Sequence, residues 1–507
     1  MTDSRSKKAK RNVIWAIANR IVTLLMQFLT RTLFIHYLGD LYLGLNSFFS
    51  STLNFLSLAE LGVGSAMIFS MYKPLAENDD VTICALLNLY RKIYRIIGAF
   101  MLVIGLLLML FLQYLIKGDV PDGLNVYIIY FIFLINLVLS YFLYAYKGSI
   151  LIADQRSDIS NNISSIVSIF TYFTQIVVIY FTNNYYIYCL VFTASTVLTN
   201  LIVNLIVNKR YPQFKCYGKI SKQELSDINK RIAGLFVYKI CHVFRDGIDA
   251  IFISAFIGLS ILGKYNNYIY ILTTITGVLA LICQNITASI GNSLATEDEK
   301  KNYSDFQCIQ LMYMWISIWF TICLYSLLQP FITLWAGEKF ILGNTELALF
   351  CLYFFCYKLG DICAIYRQAA GLWWQDRFRP ITEAFVKTLF NLTVIRYYGI
   401  SGVLGGSVFC LLIINSIWAS WVLYRYYFKS HSQFEYIKRN LFYLFIAILL
   451  SGAIGYICSF IPKVGFLNFL YKCLLCLLLP NILIWPLFRI LPEYKNSLKL
   501  LKRFINA

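Results

Sequence analysis

Residues 209–230 read KRYPQFKCYGKISKQELSDINK, the longest polar stretch in a chain of 507 residues. On its N-terminal side, apolar runs near 13–38, 43–71, 93–116, 125–146, 159–181 and 185–208 read as six helices, bounded by Gly, Pro and charged residues. Six more follow it, near 231–258, 265–289, 306–332, 345–370, 380–395 and 402–424, and a last pair near 440–459 and 466–488. The polar stretch therefore divides two blocks of almost equal length. Six crossings per block give both the same orientation, which predicts an all-α polytopic membrane protein of about 14 transmembrane helices. Its lobes are related by a pseudo-two-fold axis along the membrane normal, with two C-terminal helices appended.

Composition agrees with this reading and excludes a water-soluble globule. Hydrophobic residues make up 59% and charged residues only 14%, with a mean hydropathy of +0.66, where soluble domains carry about a quarter charged residues. The net charge of +19 is explained by its location. With the N-terminus placed in the cytoplasm, the inner segments hold 31 Lys and Arg and the outer ones five, Lys117, Lys264, Lys339, Arg396 and Lys463. That asymmetry fixes the orientation, with attraction to anionic membrane lipids as a by-product, and no nucleic-acid partner is implied. The start, MTDSRSKKAKRN, is basic like a signal peptide, but the run after it carries Arg20 and Arg31 and no small-residue cleavage site, so the first helix is expected to stay.

The expected organisation is a basic cytoplasmic N-terminus (1–12), an N-lobe of helices 1 to 6 (13–208), a cytoplasmic linker (209–230) and a C-lobe of helices 7 to 12 (231–424). A cytoplasmic loop (425–439), helices 13 and 14 (440–488) and a basic cytoplasmic C-terminus (489–507) complete it. The fourteen cysteines lie mostly within apolar runs and read as small hydrophobic side chains. Cys473 and Cys476 form a lone C-x-x-C at membrane depth, and the three histidines, His36, His242 and His431, are scattered, so no metal site and no catalytic residue is expected.

Eleven charged residues nevertheless fall inside the spans: Arg20, Arg31, Lys239, Arg245, Lys358, Lys387, Glu60, Asp246, Asp249, Asp361 and Glu383. Facing lipid, they would cost on the order of 30 kcal/mol at about 3 kcal/mol each. They must face one another or water. At about 100° per residue, Gln27 and Arg31 return to within about 20° of Arg20 on helix 1. On helix 2, Asn46, Ser50, Asn54, Ser57 and Glu60 share an arc of about 120°. Helix 7 carries His242 with Asp246 and Arg245 with Asp249 at i, i+4, beside Lys239. Lys358 with Asp361, and Glu383 with Lys387, sit one turn apart and read as structural pairs. Arg20, Arg31 and Lys239 have no acid one turn away on their own helix. The pattern suits a wet, partly cationic cleft for an anionic, hydroxyl-rich solute, with guanidinium for phosphate and Asn, Ser and Gln for sugar hydroxyls.

Four passages resemble the polysaccharide (oligosaccharide-lipid) flippases of the Wzx type, in the superfamily that also holds MATE exporters and lipid II flippases. They are GLNSFFSSTLNFLSLAELGVGSAMIFSMYKPLAEND (44–79), KYNNYIYILTTITGVLALICQNITASIGNSLATED (264–298), YRQAAGLWWQDRFRPITEAFVKTLFNL (366–392) and YYGISGVLGGSVFC (397–410). The style is that of capsule or exopolysaccharide clusters of low-GC Gram-positive bacteria. The resemblance implies a V-shaped fold in the bacterial cell membrane that opens alternately to each face. It also implies an undecaprenyl-pyrophosphate-linked oligosaccharide as substrate, for capsule, exopolysaccharide or O-antigen-like polymers, and use of the membrane potential or of a Na⁺ or H⁺ gradient.

By position, the family's helix 1 arginine and facing cations match Arg20, Arg31 and Lys239 or Arg245. With Gln27, Asn46, Ser50, Asn54 and Glu60 they form the expected substrate site; Asp246, Asp249 and Asp361 are the acids assigned to a coupling ion. Where the family reads Gly-Thr-Asp-Asn in helix 7, this chain has Arg245, Asp246, Gly247, Ile248, Asp249 and Ala250, and Lys387 stands where a neutral polar residue is expected. A polysaccharide polymerase is the protein partner the resemblance suggests. Two rivals remain: a MATE-type multidrug or cation exporter, which wants a cavity of net negative charge, and a membrane-embedded polymerase. The outer connections are too short for the second, the longest being about the dozen residues WAGEKFILGNTE, and non-enzymatic transport is the expectation.

Overall fold

The computed structural model describes residues 22–60, 63–117, 120–121, 123–154, 156–226, 228, 247–372, 374–462 and 465–506. Among these the chain is helical throughout and has no strand. It divides into two compact units, Met1–Gly263 and Lys264–Ala507.

The first unit opens with α1 (residues 22–37), which turns at Gly39 (φ 90°) into α2 (Asp40–Leu56). One turn of 3₁₀ helix, Ser57–Glu60, then separates α2 from α3 (Val63–Glu77), so this apolar passage is discontinuous. It is followed by α4 (Asp80–Met109), α5 (Val126–Phe142), the short α6 (Gly148–Ala153), α7 (Ser157–Thr182), α8 (Tyr185–Arg210) and α9 (Gly247–Phe256). The helix starts are written in the sequence: the Asn125 and Asn184 side chains accept from the backbone amides of Tyr127 and Ile128, and of Tyr186 and Ile187, and Asp79 accepts from Thr82. The Thr82 hydroxyl and amide hold the half-buried Asp79 carboxyl below its usual range. Gly44 has a packing reason, because a methyl there would come within 2.1 Å of the Leu259 carbonyl oxygen at the start of α10 (Leu259–Thr296). Residues 211–218 of the polar stretch lie against α4, with Asn88 donating to the Gly218 carbonyl (2.9 Å) and Arg91 to that of Cys216 (3.4 Å).

The second unit contains the remainder of α10, then α11 (Glu299–Trp335), α12 (Asn344–Leu359), α13 (Asp361–Ala369), and α14 (Phe378–Phe409), which runs through a π-helical stretch at Cys410–Trp418 into α15 (Ala419–Tyr426). Two long helices, α16 (Gln433–Ser459) and α17 (Phe466–Arg489), and a terminal amphipathic helix, α18 (Tyr494–Asn506), complete it. Gly399 breaks α14 with a backbone only glycine adopts readily (φ 56°, ψ −133°). The two arms fold so closely that a methyl on Gly406 would sit 2.6 Å from the Phe390 ring. They correspond to the spans expected near 380–395 and 402–424. The hub is α11, where Phe306 packs against Tyr366, Phe428 and Tyr436 at 5.0–5.8 Å. The appended helices dock there by Gln310 to Asn440 (2.7 Å) and Trp315 to Asn481 (2.8 Å).

Eight of the described helices are long and apolar enough to cross a membrane, and Val126–Phe142 with Ala145–Ala153, bent by 48°, makes a ninth. One of the eight, Phe378–Tyr426, holds two expected spans. The passages of residues 13–38 and 231–258 extend beyond the described residues, and that of 43–71 is divided by the 3₁₀ turn.

Candidate functional site

On α2, residues two apart alternate between packing and openness. Phe48 and Leu56 are buried, whereas Ser50 and Asn54 are exposed. Asn46 is half-buried and its Oδ1 faces the Tyr185 hydroxyl at 3.4 Å. The helix thus sends its apolar side, with Ser47 and Thr52, into the unit and leaves Ser50 and Asn54 open. On α1, Gln27 and Arg31 are half-buried one turn apart, and Thr30 between them donates to the Tyr172 carbonyl of α7 (3.4 Å). Arg20, Lys239, Arg245 and Asp246 lie outside the described residues; Asp249 is buried on α9.

The arc ends at Glu60, on the 3₁₀ turn that interrupts the passage. Tyr94 donates its hydroxyl to Oε1, Tyr141 donates to Oε2 at 2.6 Å, and Tyr90 donates to the Tyr94 hydroxyl at 2.8 Å. Both carboxylate oxygens are therefore held by phenols from α4 and α5. A cavity of about 430 Å³ adjoins the group, lined among others by Ser57, Glu60, Tyr90, Tyr94, Ser149 and Ser160. Gly64 keeps the neighbourhood open: a methyl there would lie 3.1 Å from Tyr90 Oη and 3.7 Å from Glu60 Oε1. The three tyrosines did not emerge from the sequence, although Tyr90 and Tyr94, one turn apart in an apolar helix, were a visible signal.

The second unit treats its acids differently. Asp361, expected at an ion site, receives the Lys358 ammonium at 2.7 Å and the Tyr313 hydroxyl at 2.5 Å, so the expected pair forms. Glu383 accepts from Arg379 Nη1 at 3.3 Å, an i, i+4 contact in the direction opposite to the expected Lys387. Arg379 also grips Asp376 with two parallel bonds of 2.8 and 2.9 Å and reaches Asn415 Oδ1, in the π-helical stretch, at 2.8 Å. Arg367 adds a second cation to Asp376 at 3.2 Å. Arg367, Asp376 and Arg379, around the junction of the spans expected near 345–370 and 380–395, are all three buried. They can be buried because these charges neutralise each other locally and do not need water. Among the described residues, no group of three or more His, Cys, Asp or Glu could hold a metal ion.

The model of the family described as "Polysaccharide biosynthesis protein" matches residues 9–288, more than half of the chain and all of the Glu60 region. The chain belongs to this polysaccharide biosynthesis family. No curated protein matches it. Among solved structures, it is similar to the lipid II flippase MurJ in an inward closed conformation, at 14% identity over 94% of this chain and 98% of that one, with a TM-score of 0.68. It is also similar to an inward-facing multidrug resistance MATE family transporter of the MOP superfamily, at 13% identity over 81% and 98% (TM-score 0.61). A third is the Vibrio cholerae MATE transporter VcmN, at 14% over 85% and 99% (TM-score 0.55). This member of the family thus has the fold of the MurJ and MATE transporters and is a multi-pass membrane protein.

Proposed function

We propose that the protein is a flippase that moves undecaprenyl-pyrophosphate-linked oligosaccharide repeat units from the cytoplasmic to the outer leaflet of the bacterial cell membrane by alternating access. The polymer served is a capsule, an exopolysaccharide or an O-antigen-like chain, and both termini face the cytoplasm. The observation that carries this reading is the open polar face of α2, with Ser50 and Asn54 exposed inside the region matched by a polysaccharide biosynthesis family. Exposed hydroxyl and amide groups on an otherwise apolar helix suit sugar. The half-buried Arg31, with Arg20 one face-repeat earlier, suits the pyrophosphate, because guanidinium offers paired donors to phosphate oxygens. The sequence reading adds Gln27, Lys239 and Arg245 to the same site. The membrane potential, or a Na⁺ or H⁺ gradient, supplies the drive, and a polysaccharide polymerase is the partner that would receive the unit.

The test is a deletion strain complemented with variants at matched membrane abundance. Loss of the gene should abolish polymer export and accumulate lipid-linked repeat on the cytoplasmic leaflet. Arg31→Lys should impair export and Arg31→Ala with Arg20→Ala should abolish it, since a lone ammonium keeps the charge but loses the paired donors. Full export from the double Ala variant would show that the pyrophosphate is held elsewhere, with Lys239 and Arg245 the next candidates; efflux of organic cations without any flipping would favour the exporter reading instead.

A further inference from the structure

We infer that α18 and the last turn of α17 form a docking site for the headgroups of anionic phospholipids, with α18 lying in the membrane surface. The inference goes beyond the flippase reading and does not depend on the cargo carried.

The charge is written in the sequence. From Trp485 to Asn506 there are five bases, Arg489, Lys495, Lys499, Lys502 and Arg503, and one acid, Glu493. That acid is buried just ahead of α18, and its Oε1 is held by Arg439 Nη2 of α16 at 2.7 Å. An acid before the first turn and bases toward the end also suit the helix dipole.

At about 100° per residue, α18 carries three stripes, each about 60° wide. Positions 497, 500 and 504 form one that faces protein: Ser497 is buried and donates its hydroxyl to the Cys308 carbonyl of α11 at 3.4 Å. Positions 494, 498, 501 and 505 are Tyr, Leu, Leu and Ile, and Leu498 among them is 43% exposed. Positions 495, 499, 502 and 506 are Lys, Lys, Lys and Asn, with Lys495 and Lys499 exposed. Docking on α11 therefore leaves Leu498 open beside two open ammonium groups.

Three neighbours set the depth of this surface. The helix before it, α17, is long and apolar enough to cross a membrane, so α18 begins where that crossing ends. On α11, Glu299, Lys300, Lys301 and Asp305 occupy the first two turns and no charged residue follows from Phe306 to Trp335. Cys308, against which Ser497 rests, marks that boundary. Trp485 is half exposed, donates its indole N–H to the Tyr494 hydroxyl at 3.0 Å, and has the Arg489 guanidinium 5.3 Å from its ring. An aromatic ring with a polar tip belongs at headgroup level. A helix held there buries its apolar stripe at the acyl boundary and sets its cations against lipid phosphates. The bases alone would attract any polyanion; the exposed Leu498 and Trp485 beside them select a lipid surface.

The experiment is hydrogen exchange of the backbone amides of residues 494–506 in the full-length protein, in nanodiscs of phosphatidylcholine with and without phosphatidylglycerol. Phosphatidylglycerol should slow the exchange. Each base near an anionic surface is worth about a fivefold preference, so Lys495→Gln with Lys499→Gln should remove on the order of twentyfold of that gain. Arg at both positions should keep it. Equal exchange of the wild type in the two lipids would overturn the proposal, since α11 alone would then hold the helix, and this comparison needs no variant. A gain that survives the double Gln substitution, or is lost with the double Arg one, would overturn it too. So would inorganic phosphate that slows exchange equally in phosphatidylcholine, which would make the ligand a free anion.

Discussion

Two acids in this protein each accept a tyrosine hydroxyl at membrane depth, yet their surroundings differ in one respect. Asp361 in the second unit takes Tyr313 and also the buried Lys358; Glu60 in the first takes Tyr94 and Tyr141 and no cation among the described residues. Asp376 and Glu383 repeat the Asp361 pattern more strongly, sharing Arg379 with Arg367 behind it. A buried acid paired with a base is locked in one charge state, because losing either partner strands the other. An acid held by phenols can change its charge and keep its partners, since a hydroxyl can both donate and accept. The paired acids of the second unit therefore read as scaffold, whereas Glu60 is free to change charge without stranding a base.

The contrast is most exposed at Arg379. Arg379→Ala strands Glu383, half of the Asp376 pairing and Asn415 in one step, and should destabilise the protein by about 3–5 kcal/mol. Glu60→Gln removes only a charge from hydroxyl partners and should change stability by about 1 kcal/mol. Thermal unfolding in detergent, with membrane abundance alongside, measures both. A Glu60→Gln protein less stable than Arg379→Ala would invert the assignment of roles.

A smaller effect is expected at Lys358. Lys358→Met removes the ammonium from Asp361, whose side chain is 23% exposed and retains Tyr313, so a loss of about 1.5–3 kcal/mol is expected, the worth of a hydrogen bond to a charged group. Adding Asp361→Asn should restore most of it, because the stranded charge disappears with its partner. Failure of the second substitution to rescue, with transport lost in both, would place Asp361 outside the scaffold.

How much of this was readable beforehand follows from the range of each interaction. The polar arc of α2 and the Lys358–Asp361 pair were legible because helical geometry relates residues three to seven apart without knowledge of the fold. The lobes' helices were legible for the same reason, through apolar runs. Tyr141 was not, since it reaches Glu60 across 81 positions and an apolar helix offers no reason to single out one of its tyrosines. The pairing of Arg367 and Arg379 with Asp376 was not legible, because charge counting reads a segment's side of the membrane and not its partners. Their mutual pairing, brought about where α13 ends and α14 begins, is a fact of tertiary structure. Arg20, Lys239, Arg245 and Asp246 lie outside the described residues.

The smallest effect is expected at Gly64, and it separates the hydrogen-bond chain from the fold around it. Alanine is the better helix former, worth about 0.5–1 kcal/mol over glycine, and α3 has ordinary helical need of it. Against this, the added methyl would lie 3.1 Å from Tyr90 Oη, tighter than ordinary contact, with Glu60 Oε1 and Tyr94 Oη at 3.7 and 3.8 Å. The Tyr90 hydroxyl must give way by a few tenths of an ångström, which lengthens its 2.8 Å bond to Tyr94. The two contributions oppose each other, so unfolding should shift by less than about 1 kcal/mol. The chain, however, loses its outermost member while Tyr141 still holds Oε2. Thermal unfolding of Gly64→Ala beside the wild type tests this directly. A loss well above about 1 kcal/mol would show that the Tyr90 hydroxyl cannot yield and that the tyrosine chain is part of the unit's packing; a shift within that range would show that the chain adapts without cost to the fold.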